Sequence, residues 1–118
     1  MRALSVLHSL YAAGVHGHGD TLKEDIEAHR QSGWAIIEDD FVILFRLCGL
    51  DWPIEKLRNP SQSDDNGALC WVWCVAGDLE KAFKAAVQTA NKPVTHIGYD
   101  RRGIPRLIPF ERFIPKKH

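Results

Sequence analysis

The residues best spaced for metal chemistry are His16 and His18, separated by one glycine and followed by Gly19 and Asp20, with His29 further along. Imidazoles alternating on an extended segment can share a divalent cation, with Asp20 or His29 as a third ligand. The same glycines make a flexible entry to a helix, a reading that needs no ion. The expectation is a pliable loop that can line a ligand site through His16 and His18 and holds no metal. Cys70 and Cys74 flank Trp71, Val72 and Trp73. Four residues of strand span about 13 Å, too far for two sulfurs to share one zinc. Strict alternation puts Cys70, Val72 and Cys74 on one face and Trp71, Trp73 and Val75 on the other. Two tryptophans on one strand face belong to a core, or to the aromatic wall of a pocket. Glu38, Asp39 and Asp40 could hold a metal for phosphoryl chemistry, but three consecutive acids suit a solvated turn, where ligands are poorly fixed. No nucleophile, base and orienter occur in a recognisable order, and there is no serine elbow or phosphate loop. No catalytic residue is therefore assigned, and no cofactor is expected.

Charge gives a second constellation. The net formal charge is zero, yet residues 1–92 carry thirteen acids against nine bases, and residues 93–118 carry six bases against two acids. Arg101, Arg102, Arg106, Arg112, Lys116 and Lys117 are interleaved with Tyr99, Phe110 and Phe113. Arginine beside exposed aromatics can hold phosphate backbones. It can equally meet an acidic protein surface, including this chain's own body, and neighbouring carboxylates can occupy Arg101 and Arg102. The candidate binding residues are Arg101, Arg102, Arg106, Tyr99, Trp52, His16 and His18, with a protein partner ahead of nucleic acid.

The elements that must position these residues are legible from periodicity. Leu4, Leu7 and Tyr11 share a helical face over 3–13, with Val6, Leu10 and Ala13 beside it and Gly14 as the stop. Thr21 and Glu24 have the spacing of a capping box, opening a helix over 21–32 that buries Leu22 and Ile26 and ends at Gly33. Trp34–Ile37 and Phe41–Cys48 form a hairpin about the three acids. The second of these is apolar nearly throughout, which predicts burial on both faces and a central place in the sheet. The long connection 49–67 holds one helical turn through Leu57, and a connection of that length is often functional or mobile. A strand follows at Ala68–Ala76. Asp78 then caps a helix over 78–91 with Leu79, Ala82, Phe83, Ala86, Val87 and Ala90 on one stripe. Strands at Val94–Tyr99 and Ile104–Phe110 complete the chain, the last at an edge because Pro105 and Pro109 remove ladder donors.

The order α-α-β-β-β-α-β-β defines one α+β domain over residues 1–118, with a mixed, mostly antiparallel sheet packed by helices. Over residues 3–99 that order resembles the central part of the GNAT acyltransferase family. There the segment from the third of these strands to its helix carries R/Q-x-x-G-x-G/A, whose amides hold the pyrophosphate of acetyl-CoA. Here it reads Val75-Ala76-Gly77-Asp78-Leu79-Glu80, with one glycine and two acids that would repel an anion at the helix N-terminus. A truncated domain of this kind also looks like the small accessory proteins encoded by phages.

No apolar run approaches the roughly 20 residues that span a bilayer, and His8, Ser5 and Ser9 interrupt the opening segment as no signal peptide would be interrupted. Three cysteines suit free thiols in a reducing compartment. The expected setting is cytoplasmic, in a host cell or a virion if phage-encoded, with no membrane partner. The expected role is a non-enzymatic binding module acting through protein contacts, such as a virion-associated accessory. The alternatives are a divergent GNAT-like N-acyltransferase using acetyl-CoA and a nucleic-acid binder working through the C-terminal basic hairpin.

Overall fold

The computed structural model describes residues 2–15, 20–90 and 93–113. Helices α1 (Ala3–Ala12) and α2 (Leu22–Ser32) precede the hairpin of β1 (Trp34–Ile37) and β2 (Phe41–Cys48). One helical turn, α3 (Ile54–Leu57), interrupts the long connection to β3 (Leu69–Gly77). Helix α4 (Leu79–Ala90) then leads to β4 (His96–Arg101) and β5 (Ile104–Pro109), and a 3-10 turn covers Phe110–Phe113. Among the described residues the strands form one sheet in sequence order, β1-β2-β3-β4-β5. Only β3 and β4 run parallel, because α4 carries the chain back across the sheet between them.

Every residue of β2 is buried, as expected of a strand between β1 and β3 with helices on both faces. One face of the sheet packs on α4. There Phe41, Ile43, Phe45 and Leu47 of β2 meet Cys70, Val72 and Ile97, with Ala82, Ala86 and Ala90 allowing the helix to approach closely. Trp34 stacks on Phe45 at 5.2 Å between ring centres, extending this core towards β1. The opposite face packs on α1 and α2 through Val42, Leu44, Cys74 and Ala76 against Ala3, Leu7, Tyr11 and Leu22. A smaller cluster of Cys48, Leu57, Leu69 and Trp71 lies under α3, with Trp52 and Ile54 against it. No helix among the described residues is long and apolar enough to cross a membrane.

Three expectations change. Leu79 is exposed and Phe83 only half-buried, so the buried stripe of α4 is made of alanines, and its two large side chains sit at the stripe's edge. Thr21 does not close a capping box. Its hydroxyl donates instead to Asp25 Oδ2 at 3.0 Å, a buried acceptor that outcompetes the exposed helix amides. The strict alternation expected for 70–75 also fails, for a reason that governs the functional site.

The start of α4 is held by its own neighbours. The Asp78 carboxylate accepts from the Lys81 amide at 3.2 Å, and the Asp78 amide donates to the Asp40 carbonyl at 2.9 Å. Gly77 makes that approach possible. Its φ is +90°, and a Cβ there would stand 2.2 Å from the Asp40 carbonyl oxygen. Replacing Gly77 with alanine should therefore cost more than about 1 kcal/mol. The check is a fall in the urea midpoint at unchanged slope.

Candidate functional site

The register between β2 and β3 steps from Leu44–Cys74 to Phe45–Val72, which makes Trp73 the extra residue of a β-bulge. Before the bulge, Cys70 and Val72 face α4. After it, Cys74 faces α1 and α2, and Val75 returns to the α4 side. Cys70 and Cys74 thus lie on opposite faces of the sheet, and Trp73 and Val75 part company. Trp71 and Trp73 remain on the side away from α4, Trp71 in the core and Trp73 half-buried.

A buried polar group holds Trp73 there. Asp25 Oδ2 accepts from the Tyr11 hydroxyl at 2.7 Å, the Trp73 indole N–H at 3.1 Å and Thr21. Tyr11 Oη also lies 3.7 Å from Cys74 Sγ. Burial, together with neighbouring Cys74 and Asp25, drives the Tyr11 pKa far above the usual phenol range. His29 is fully buried beside this group, with Nδ1 2.7 Å from the Asp25 carbonyl oxygen and its ring 5.4 Å from that of Trp73. Arg46 also approaches Trp73, its guanidinium carbon 5.7 Å from the indole centre. Arg46 is fully buried in β2, and among the described residues no carboxylate pairs with it. Its terminal nitrogens donate to the carbonyls of Leu57 and Gln62, which fastens the 49–67 connection to the sheet. Desolvation lowers the Arg46 pKa; the two carbonyl dipoles offset part of that cost, while Nε is buried with no hydrogen-bond partner among the described residues.

The bulge bears directly on β4. Parallel pairing runs from Leu69–His96 to Val72–Tyr99 and stops, although β3 continues to Gly77 and β4 to Arg101. The two strands diverge around a cleft of about 1100 Å³. Val72, Val75, Phe83, Ile97, Tyr99 and Ile108 make its apolar walls. Leu79 and Val15, both well exposed, add apolar surface at its rim. Arg58, Asp100, Arg102 and Gly103 form its polar end. There Arg58 Nε is 2.8 Å from Asp100 Oδ2, and Asp100 Oδ1 accepts the Gly103 amide at 2.8 Å.

Of the residues singled out in the sequence, Tyr99 and Arg102 line this cleft. Arg101 and Arg106 are exposed on the same hairpin, Arg106 opposite Tyr99 in the β4–β5 register. Arg101 and Arg102 form no ion pair with a neighbouring carboxylate among the described residues; the adjacent Asp100 is turned to Arg58 instead. Trp52 is elsewhere, half-buried over Trp71 and Leu57 with Lys56 Nζ 4.0 Å from its ring centre, a packing role. His16, His18, Lys116 and Lys117, and the side chain of Phe113, lie outside the described residues; the chain leading to His16 reaches the cleft at Gly14 and Val15. The three acids occupy the β1–β2 turn, where Asp40 pairs with Lys81 at 2.8 Å and is held below the usual carboxylate range by that bond. Among the described residues no group of three or more potential ligands is arranged for a metal ion.

Sequence reasoning missed Arg58, Asp100 and the Asp25 group. A lone arginine within Phe41–Cys48 was the one legible sign of buried polarity. The pairing of Arg58 with Asp100, 42 positions apart, has no local signature. Comparison with protein families, with curated proteins and with solved structures gives no match.

All three thiols are buried and unpaired in disulfides. Burial pushes Cys70 and Cys74 up to about 12 and Cys48 up to about 11. A pKa raised by folding favours the protonated native state. Stability is then full below about pH 8.5, where unfolded thiols begin to ionise, and falls as pH rises towards the folded values. Thermal unfolding midpoints should decline above about pH 9. Aromatic disulfide reagents should label the native protein at neutral pH only as fast as it unfolds. For the buried carboxylate, Tyr11→Phe should cost about 1.5–3 kcal/mol, the worth of a hydrogen bond to a charged group, read by denaturant titration.

Proposed function

We propose that this chain is a non-enzymatic binding module whose β3–β4 cleft receives an extended segment of a protein partner. The observation that carries this reading is the edge of β3 after the bulge. From Cys74 to Ala76 the strand is paired to β2 on one side, while on the other, among the described residues, it borders the cleft with no ladder to β4. An incoming strand satisfies such an edge with main-chain hydrogen bonds, and its alternate side chains then sample the walls. Val72, Val75, Phe83 and Ile108 offer apolar contact to those side chains. The test is selection of binders from a displayed peptide library, followed by amide chemical-shift mapping. Selected peptides should move the amides of Cys74, Val75 and Ala76. Binders that move only amides away from the cleft would refute the assignment.

A GNAT-like acyltransferase is the second reading, favoured by the divergence of β3 from its parallel neighbour immediately before the helix. Against it stands the entrance to α4. The Asp78 carboxylate already occupies the Lys81 amide, and the Asp78 amide is taken by Asp40. A pyrophosphate would have to displace the carboxylate and tolerate Glu80 in the first turn. Acetyl-CoA should therefore fail to bind by calorimetry. A dissociation constant below about 100 μM, on the order of −5.5 kcal/mol, would put the acyltransferase reading first.

A further inference from the structure

We propose that the segment taken by the cleft is acidic and seats a carboxylate between Arg58 and Arg102; this rests on the cleft being the binding site. Two observations lead there independently. The first is charge. Among the described residues, the polar end of the cleft carries two guanidiniums and one carboxylate, Asp100. Asp100 Oδ2 accepts from Arg58 Nε, and its Oδ1 accepts from the Gly103 amide. The outer nitrogens of Arg58 remain directed at the turn, since a Cβ on Gly103 would lie 3.5 Å from Nη2. Asp100 thus fixes the guanidinium through Nε, and the terminal nitrogens can pair with another anion.

The second observation is backbone geometry. Arg102 has a φ of +53°, the non-glycine residue in the left-handed region among those described, and with Gly103 at +87° it forms a two-residue turn between Arg101 and Ile104. Asparagine or glycine suits the first position of such a turn, and arginine is strained there. The strain places a long cation at the cleft rim beside Arg58, where ordinary turn chemistry would have left a short side chain. Strained residues of this kind gather where a ligand is held.

An extended peptide fits this end because its acidic side chain can reach the two arginines while its main chain lies along Cys74–Ala76. Its alternate apolar side chains then meet Val72, Val75 and Phe83. A carboxylate between two guanidiniums makes charge-assisted hydrogen bonds that an amide or an ammonium cannot reproduce.

The test uses the full chain and three labelled, N-acetylated hexapeptide amides in which valine alternates with glutamate, glutamine or lysine. Fluorescence anisotropy gives affinities, and amide shifts at Cys74–Ala76 report the place of binding. The glutamate peptide should bind at least about tenfold more tightly than the glutamine peptide, and the lysine peptide most weakly. The double variant Arg58→Gln and Arg102→Gln should reduce the glutamate peptide to the glutamine peptide's affinity without changing the latter. Both side chains are exposed, and an unchanged melting temperature confirms the variant's fold. Arg101→Gln with Arg106→Gln should alter affinity less than about twofold; an equal loss there would replace the seat with diffuse attraction and overturn the proposal. If glutamate and glutamine peptides bind alike while still moving Cys74–Ala76, the cleft stands as the site and the acidic preference falls. If no peptide moves those amides, the cleft reading and this one fall together.

Discussion

The hydrogen bond from the Trp73 indole to Asp25 is the contact on which the rest of the structure turns. A bulge needs a reason to persist, since it interrupts a ladder that would otherwise run unbroken. Here the extra residue carries a large ring with one donor, and α2 presents a buried carboxylate to receive it. Once Trp73 is held on the α1–α2 side, β3 is bent one residue after its last pairing with β4. The cleft is thus a consequence of packing on the far face of the sheet.

The cost of burying Asp25 is met locally, with Tyr11 and Thr21 added to the indole as donors to one oxygen. Arg46, which also approaches Trp73, is held differently, by two main-chain carbonyls of the long connection, while its Nε has no hydrogen-bond partner among the described residues. Among the described residues the two charges near this ring form no ion pair, and each ties a different segment to the sheet. Asp25 fastens α1 and α2 to β3, and Arg46 fastens the 49–67 connection to β2. That connection in turn supplies Arg58 to the cleft, so a polar contact under the sheet helps position a cation at its edge.

The same geometry explains why the α4 entrance and the cleft differ in chemistry. Asp40 and Asp78 take the Asp78 and Lys81 amides at the helix start, aided by the positive φ of Gly77, and Lys81 pairs with Asp40. Among the described residues that line the cleft, the cations are Arg58 and Arg102. An anion approaching the cleft therefore meets cations at the β4–β5 turn and acids at the helix.

The sequence by itself determined the elements and most of their order in the sheet. The unbroken apolar run at Phe41–Cys48 required a central strand, Pro105 and Pro109 required an edge, and Asp78 required a helix start, because each signal acts on its own backbone. It also marked Tyr99 and Arg102, whose residue types alone suggest binding. Only the tertiary structure decided the faces of Cys74 and Val75, because a bulge reverses side-chain parity and its cause, Asp25, lies 48 positions from Trp73. Thr21 and Asp25 are ambiguous locally for the same reason, since a cap and a buried acceptor use identical groups. The meeting of Arg58 with Asp100 was likewise beyond sequence, because the attraction between charges depends on their separation in space, which periodicity along one strand or helix does not encode.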